Sequence, residues 1–483
     1  MKIKIIALSF IVSLNMLMNA QLATKAESEE IPESGSVSYA NIFNPNFNNS
    51  FVFNMTHGAT IFNQTDDIFL IDSKTLEVKK KILYPKFKGY SSGRFLEFNN
   101  FFSVIFTNKK DDFFVTKTNE DFVLPETPDF LFSAKNYSDF LTTTNEKHDL
   151  CVMSYEIGYK KMNKTMFYYR VYNNEFKLLL SDSSASDYKK PDTLKTYPYD
   201  NGIAVIKNNG SRKNVFLRDV KLNKTYSFDI SNGNTIMTVS DIKSISNDRI
   251  VLLGKYDNNS SNGGVSKYGV FKIVYNQKTN TIDEQTYFDH LVGDKLNNSD
   301  KNIESTIITE TGDCYVLISQ TMNVYVDVMV PEIRVIRNPN EISQKVSFHN
   351  NAELIYLKSD SEKWIKALPI TPEAIGTSRL SYINGTIALV YLDYEGENNK
   401  IDYNNYVFGK PYPSTPMTLK QTYKSNMSLL KINSSGFIQH QSFNDFYYLS
   451  IKQIGNEFIG VTQGLNGPVT SKCKLFKLKF NDK

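Results

Sequence analysis

Residues Ile68 to Ile82 read IFLIDSKTLEVKKKI, and this stretch decides the fold. Ile68-Phe69-Leu70-Ile71-Asp72 is a run of β-branched and aromatic residues. Ser73-Lys74-Thr75 is a polar turn, and Leu76 to Ile82 resumes an alternating pattern. Apolar runs of this length, bounded by turn formers, predict two antiparallel strands joined as a hairpin.

The same unit recurs along the chain. Asp112 to Thr116 is followed by Phe122 to Leu124, and Met166 to Tyr172 by Phe176 to Leu180. Val215 to Val220 leads into Tyr226 to Ile230, and Val270 to Tyr275 into Ile282 to Phe288. Glu353 to Leu357 leads into Trp364 to Leu368, and Leu429 to Ile432 into Phe437 to Phe443. The spacing is roughly 45–55 residues through the first copies and longer later, the range of propeller blades.

A more apolar strand precedes most of these hairpins: Phe101 to Phe106, Leu150 to Tyr155, Gly202 to Ile206, Ile250 to Leu253, Tyr315 to Ile318 and Ile387 to Leu392. Nearly continuous apolar runs suit strands covered on both faces. We read these as the inner strands and the hairpins as the wetter outer half of each blade.

The expected fold is therefore all-β, a β-propeller of about eight four-stranded blades, with seven as the other count. From about Ser36 onward, eight blades average roughly 56 residues each. Two β-sandwich domains are the competing architecture. The final alternation, Phe476-Lys477-Leu478-Lys479-Phe480, is a half-buried strand with little chain after it. Ser36 to Ile42 (SVSYANI) is placed to supply its missing neighbour and close the ring, which removes open sheet edges.

The hairpin at Ile68 to Ile82 resembles those of bacterial surface or PQQ-type propellers. The last unit, SLLKINSSGFIQHQSF, is similar to repeats in exported proteins of Bacteroidetes-like bacteria. The resemblance is to generic exported bacterial propeller repeat proteins, at the level of single hairpins. No WD dipeptide, in-register kelch diglycine or sialidase Asp-box accompanies it.

Composition agrees with a large folded body. The 483 residues are 41% apolar, 13% aromatic and 22% charged, which excludes wholesale disorder. Lys and Arg total 55 against 51 for Asp and Glu, so charge gives no case for a nucleic-acid partner. Three cysteines, Cys151, Cys314 and Cys473, exclude a disulfide scaffold and read as small buried apolar residues.

The N-terminus reads as an address. Lys2 and Lys4 precede an apolar run from Ile5 to Met18, too short and interrupted for a comfortable membrane span. Met18-Asn19-Ala20 is the first candidate cleavage site, placing signal cleavage at Ala20, and Thr24-Lys25-Ala26 is the second. Residues 1–20 are expected to be a signal peptide, 21–35 a flexible acidic leader, and 36–483 a single propeller domain. No later run reaches spanning length, so no transmembrane segment is expected in the mature chain. The expected location is secreted, extracellular or periplasmic.

Motifs for chemistry are mostly missing. His57, His148, His290, His349 and His440 lack zinc-protease spacing, and there is no Walker loop, so no catalytic residue or cofactor is assigned. Asp393, Glu395 and Glu397 offer hard oxygens at alternating positions, a weak calcium candidate whose glycine stands in the wrong place for an EF-hand. Asp182 to Asp187 is weaker still. Aspartates at strand ends (Asp67, Asp72, Asp112, Asp219, Asp229) read as turn formers. Phe167-Tyr168-Tyr169 and Phe446-Tyr447-Tyr448 could stack on sugars but read as core.

Sequons are abundant. Asn54, Asn63, Asn136, Asn163, Asn223, Asn384 and Asn426 are glycosylation candidates if the source is eukaryotic. The expected function is an exported non-enzymatic binding or scaffold propeller that recognises a protein or glycan through blade loops. The alternatives are a propeller-fold glycan hydrolase or lyase and a structural subunit of an envelope assembly.

Overall fold

A computed structural model describes residues 22–481, apart from 32–36, 48, 58–64, 83–88, 91–92, 120, 188–192, 210–211, 232–234, 259–266, 291–298, 329–341, 359–361, 371–377, 396–423, 445–447 and 464–472. Among the described residues the only helical turn is a short 3-10 turn at Lys160–Met162.

Strand β1 is Ala23–Glu30. Blade 1 holds β2 (Val37–Phe47), β3 (Ser50–His57), β4 (Thr65–Asp72) and β5 (Val78–Ile82). Blade 2 holds β6 (Arg94–Glu97), β7 (Phe102–Thr107), β8 (Asp112–Lys117) and β9 (Asp129–Ser133). Blade 3 holds β10 (Tyr137–Thr144), β11 (Leu150–Tyr159), β12 (Lys164–Asn173) and β13 (Leu178–Asp187). Blade 4 holds β14 (Thr193–Tyr199), β15 (Gly202–Asn209), β16 (Arg212–Asp219) and β17 (Lys224–Asp229).

Blade 5 holds β18 (Ile236–Ser244), β19 (Arg249–Asn258), β20 (Lys267–Asn276) and β21 (Thr281–His290). Blade 6 holds β22 (Ser299–Ile308), β23 (Cys314–Val328), β24 (Ile342–Leu357) and β25 (Lys363–Ala367). Blade 7 holds β26 (Arg379–Ile383), β27 (Thr386–Glu395), β28 (Lys424–Ile432) and β29 (Ile438–Phe443). Blade 8 holds β30 (Tyr448–Ile454), β31 (Glu457–Gln463) and β32 (Cys473–Phe480), with β1 added beside β32.

These eight four-stranded sheets make the fold an eight-bladed β-propeller. The chain divides into two compact units. One is Asn41–Asp327 with Ile342–Pro372, carrying blades 1 to 6. The other is Met1–Ala40, Val328–Glu341 and Glu373–Lys483, carrying blades 7 and 8.

Within the larger unit the first strands of blades neighbour one another: β6 lies against β10, β14 against β18, and β18 against β22. The innermost strand of each blade is therefore the first one. The apolar runs read as inner strands are the second strands. Leu150 to Tyr155 of β11 are all buried, because a second strand is covered by sheets on both sides. The true first strands escaped the reading because one of their faces is wet and their pattern is polar, as in β10 with its burial alternating along YSDFLTTT.

The core sits between consecutive sheets. Phe113, Phe132 and Phe140 of blades 2 and 3 share one cluster with Cys151, Met153 and Tyr155. Val215 and Leu217 of blade 4 pack with Ile250, Leu252, Phe271 and Ile273 of blade 5. Leu429 of blade 7 packs with Phe458, Phe476 and Leu478 of blade 8. Each such side chain contributes about 1.5–3 kcal/mol by leaving water. The three cysteines are buried as expected and form no disulfide, and burial pushes the Cys314 thiol up to about 12.

The expected hairpins are the third and fourth strands of their blades, with one correction. Phe122 to Leu124 does not pair with β8; β9 at Asp129–Ser133 does. Phe122 and Leu124 are instead buried in the connecting loop, where Asn119 Oδ1 accepts from the Asp121 and Val123 amides. Asp72 shows the turn chemistry at its clearest. Its Oδ1 accepts from Lys74 N at 2.8 Å and Thr75 N at 3.0 Å. Lys79 Nζ stands 2.8 Å from Oδ2, and this ammonium first of all holds the Asp72 carboxyl down at about 2.

The closing strand is also corrected. An N-terminal strand does complete the last blade, but it is Ala23–Glu30 and not Ser36 to Ile42. The latter stretch begins β2, on the inner side of blade 1. The supposed flexible leader thus contains a paired strand. Its acidic side chains are wet, while its backbone pairs with β32, where Lys474, Lys477 and Lys479 stand opposite Glu30, Ala26 and Thr24. Polarity in the sequence reported the exposed face of an edge strand, and edge strands favour charged side chains.

Candidate functional site

In an antiparallel four-stranded blade, the turns after the first and third strands lie at one end of the sheet. In blades 3, 4, 5 and 6 the turn after the first strand contributes to one pocket of about 330 Å³. Glu146 and Lys147 come from the β10–β11 turn, Asp200 and Asn201 from β14–β15, Lys243 to Asn247 from β18–β19, and Glu310 from β22–β23.

Local chemistry fixes each turn. Asn145 is buried, and its Oδ1 accepts from the Asp149 and Leu150 amides, both at 3.0 Å. His148 takes the left-handed conformation, φ 50°, to let the chain turn back. Thr309 replaces asparagine in blade 6: its Oγ1 accepts from Asp313 N at 3.0 Å, and Gly312 supplies the left-handed residue at φ 86°. In blade 4 the turn is only Asp200-Asn201, since Tyr199 pairs directly with Gly202. Gly202 is required there, because a Cβ would stand 1.9 Å from the Arg218 carbonyl oxygen.

Electrostatics organise the pocket as ion pairs across blades. Lys147 Nζ lies 2.7 Å from Asp200 Oδ2. Lys243 Nζ lies 2.7 Å from Glu146 Oε2. Asp200 holds the Lys147 ammonium above the ordinary lysine value, with Asp149 and Glu310 adding to the field against the cost of burial. Three acids and two lysines leave one net negative charge, and Glu310 is the acid outside these two pairs. Asn201, Ser244, Ser246 and Asn247 add hydrogen-bonding groups, and none of the described lining residues is aromatic.

Next to the pocket, Asp241 sits at a bulge of β18 between Val239 and Asp241. Its carboxyl accepts from Thr306 Oγ1 at 2.9 Å and from Ile242 N at 2.8 Å. Burial nonetheless raises its pKa above the usual carboxylate range, and Glu146 adds to the rise while Lys243 opposes it. A bulge on an innermost strand is a place where a fold re-aims a side chain.

The residues singled out from the sequence fall elsewhere. Asp393 and Glu395 stand at the end of strand β27 rather than in a loop, and Glu397 lies outside the described residues. Among the described residues no group of three His, Cys, Asp or Glu could hold a metal. Asp182 accepts from Tyr169 OH at 3.0 Å and pairs with Arg218 of the next blade. Phe167 and Tyr169 are buried, and Tyr168 stacks on Tyr155 at 5.2 Å. Phe446 and Tyr447 lie outside the described residues.

Asn54 and Asn426 are buried in β3 and β28, so the folded protein hides them. Asn136, Asn163, Asn223 and Asn384 are exposed turn residues with φ of 59°, 50°, 51° and 47°. Asn63 and the proposed cleavage residue Ala20 lie outside the described residues.

The pocket residues escaped sequence reading because none belongs to a motif. Glu146, Asp200, Lys243 and Glu310 are more than forty residues apart in successive pairs, and only the blade repeat aligns them. The usable signal was the recurrence of a charged residue in the turn after the first strand of blades 3 to 6.

No family model matches the chain, and no curated protein matches it. Solved structures do. The WD40 domain of SCAP from fission yeast aligns over 95% of this chain and 94% of its own, at 9% identity and a TM-score of 0.41. A polysaccharide lyase, Uly1, aligns over 96% and 93%, at 10% identity and a TM-score of 0.45. The β-propeller domain of the Trilobed protease from Pyrococcus furiosus aligns over 77% and 99%, at 12% identity and a TM-score of 0.38. The eight sheets themselves establish this chain as a β-propeller, and the comparisons attach no family to it.

Proposed function

We propose that this protein is an exported, non-enzymatic propeller that recognises a protein or glycan through its blade loops, at the cell surface or in the periplasm. One observation carries the reading: turns from four consecutive blades build a single polar pocket whose lysines are each tied to an acid from another blade. Glu146 and Asp200 are engaged by ammonium groups, which suits recognition better than the paired acid and base of a glycosidase. Loops held by a rigid scaffold commonly carry binding.

The convergence of Glu146, Asp200 and Glu310 in one pocket favours a second reading, a glycan hydrolase or lyase. The experiment is to titrate the purified protein with neutral and acidic polysaccharides and to assay the same mixtures for new chain ends. Saturable binding without cleavage is expected, weakened about tenfold, or about 1.4 kcal/mol, by Glu310→Ala. Cleavage that disappears in Glu310→Gln overturns the binding reading in favour of the enzyme.

A further inference from the structure

The last blade closes on β1, and the first residues of that strand are its anchor. Leu22 is 6% exposed and Ala23 is fully buried. A single side chain on the outer strand of blade 7 holds both. Leu22 N and Ala23 N donate to Gln441 Oε1 at 2.7 and 2.9 Å, and Gln441 Nε2 donates to Ala23 O at 3.0 Å. Asn481 N donates to Leu22 O at 3.0 Å, which ties this end to the residue after β32. Ala23 and Leu22 pack in the same cluster as Phe458, Phe476, Leu478 and Phe480.

Pairing is densest in the same part of the strand. Ala23, Thr24, Lys25 and Ala26 pair in unbroken register with Phe480, Lys479, Leu478 and Lys477. Beyond them the register shifts between Glu27 and Glu30. A cut after Ala26 would remove Leu22 and these four paired positions, leaving β32 with a largely bare edge and Gln441 with no partner in the strand.

We propose that the exported chain is processed at the Ala20–Gln21 bond and not at Ala26–Glu27, with Gln441 as the positioning residue that seats the mature N-terminal segment. This rests on the export reading above. The step is a hydrolysis: water adds across the peptide bond, leaving a carboxylate on Ala20 and an amine on Gln21. The mature chain then begins one residue ahead of the anchor.

The test is to express the full chain in a secreting host and read the mature N-terminus by intact mass and N-terminal sequencing. A mature chain beginning at Gln21 is expected. A start at Glu27 overturns the inference and leaves export standing. A chain retained in the cell and uncut overturns both. The second measurement compares purified chains made to begin at Gln21 and at Glu27. The longer one should melt higher, by about 3 °C or more. Gln441→Ala should lower the melting temperature of the longer chain and leave that of the shorter one unchanged. Equal melting of the two chains, or an equal effect of Gln441→Ala on both, removes the anchoring role and the inference with it.

Discussion

Blades 5 and 8 share an inner half and differ at the outer edge. In blade 5 the first strand bulges between Val239 and Asp241, and in blade 8 between Tyr448 and Ser450. Beside each bulge the second strand carries a glycine, Gly254 opposite Val239 and Gly460 opposite Ile451, and the third strand lays a phenylalanine over it. Gly254 pairs with Phe271, and Gly460 with Phe476. At the outer edge, β21 of blade 5 follows β20 through a short turn closed by Asn276, whose Oδ1 accepts from Lys278 N at 3.0 Å. Blade 8 instead takes its outer strand from the other end of the chain. The inner three strands are thus a local product of sequence, repeated where the residues repeat. The outer strand can be supplied by whatever chain reaches the edge.

The glycines break this likeness most strongly. A Cβ on Gly254 would stand 2.1 Å from the Thr238 carbonyl oxygen and 2.7 Å from Phe271. A Cβ on Gly460 would meet the Phe476 ring at 2.3 Å but the Ser450 carbonyl only at 2.9 Å. A ring can swing more easily than a backbone can shift. Gly254→Ala should therefore cost about 3 kcal/mol or more, and Gly460→Ala nearer to about 1–2 kcal/mol. Urea unfolding measures both. Equal costs would mean that the ring, and not the bulge, sets the fit.

The edges give a smaller contrast. Gln441→Ala removes three hydrogen bonds to Leu22 and Ala23 at the start of β1 and should cost about 1–3 kcal/mol. Asn276→Ala removes the turn bonds from Lys278 N and Thr279 N and one exposed bond to Asp283 of β21, and should cost about 1 kcal/mol. A larger loss from Asn276→Ala would show that local turns, and not the long-range clamp, hold the outer strands.

Titration separates the two bulges last. Asp241 occupies in blade 5 the place that Ser450 holds in blade 8. Its folded-state pKa is raised, so the fold favours its protonated form. That contribution is fully present below the unfolded value of about 3.9 and is lost as pH rises through the folded value. The wild-type urea midpoint should carry this loss as pH rises above about 4, and Asp241→Asn should carry less of it. An unchanged profile in the variant would mean that the carboxyl is not held protonated.

Much of the fold was legible in the residues. The hairpin at Ile68 to Ile82 sets a spacing, and with six further copies it marks seven of the eight blades. The apolar second strands are visible for a simple reason: burial on both faces leaves an unbroken run, as in Leu150 to Tyr155. The first strands were not legible, because a wet face hides them among loops. Asp112 to Thr116 was assigned the wrong partner, since Phe122 and Leu124 are apolar to fill a loop core and not to pair.

By itself, then, the sequence determined the all-β repeat, the count of blades and the buried cysteines, because these depend on patterns within a few tens of residues. Only the tertiary structure decided which strand closes the last blade and which charges meet in the pocket. Ala23 pairs with Phe480, and Lys147 meets Asp200 while Lys243 meets Glu146. Such meetings depend on the stacking of whole sheets, which aligns equivalent turns of successive blades and leaves no trace in local spacing.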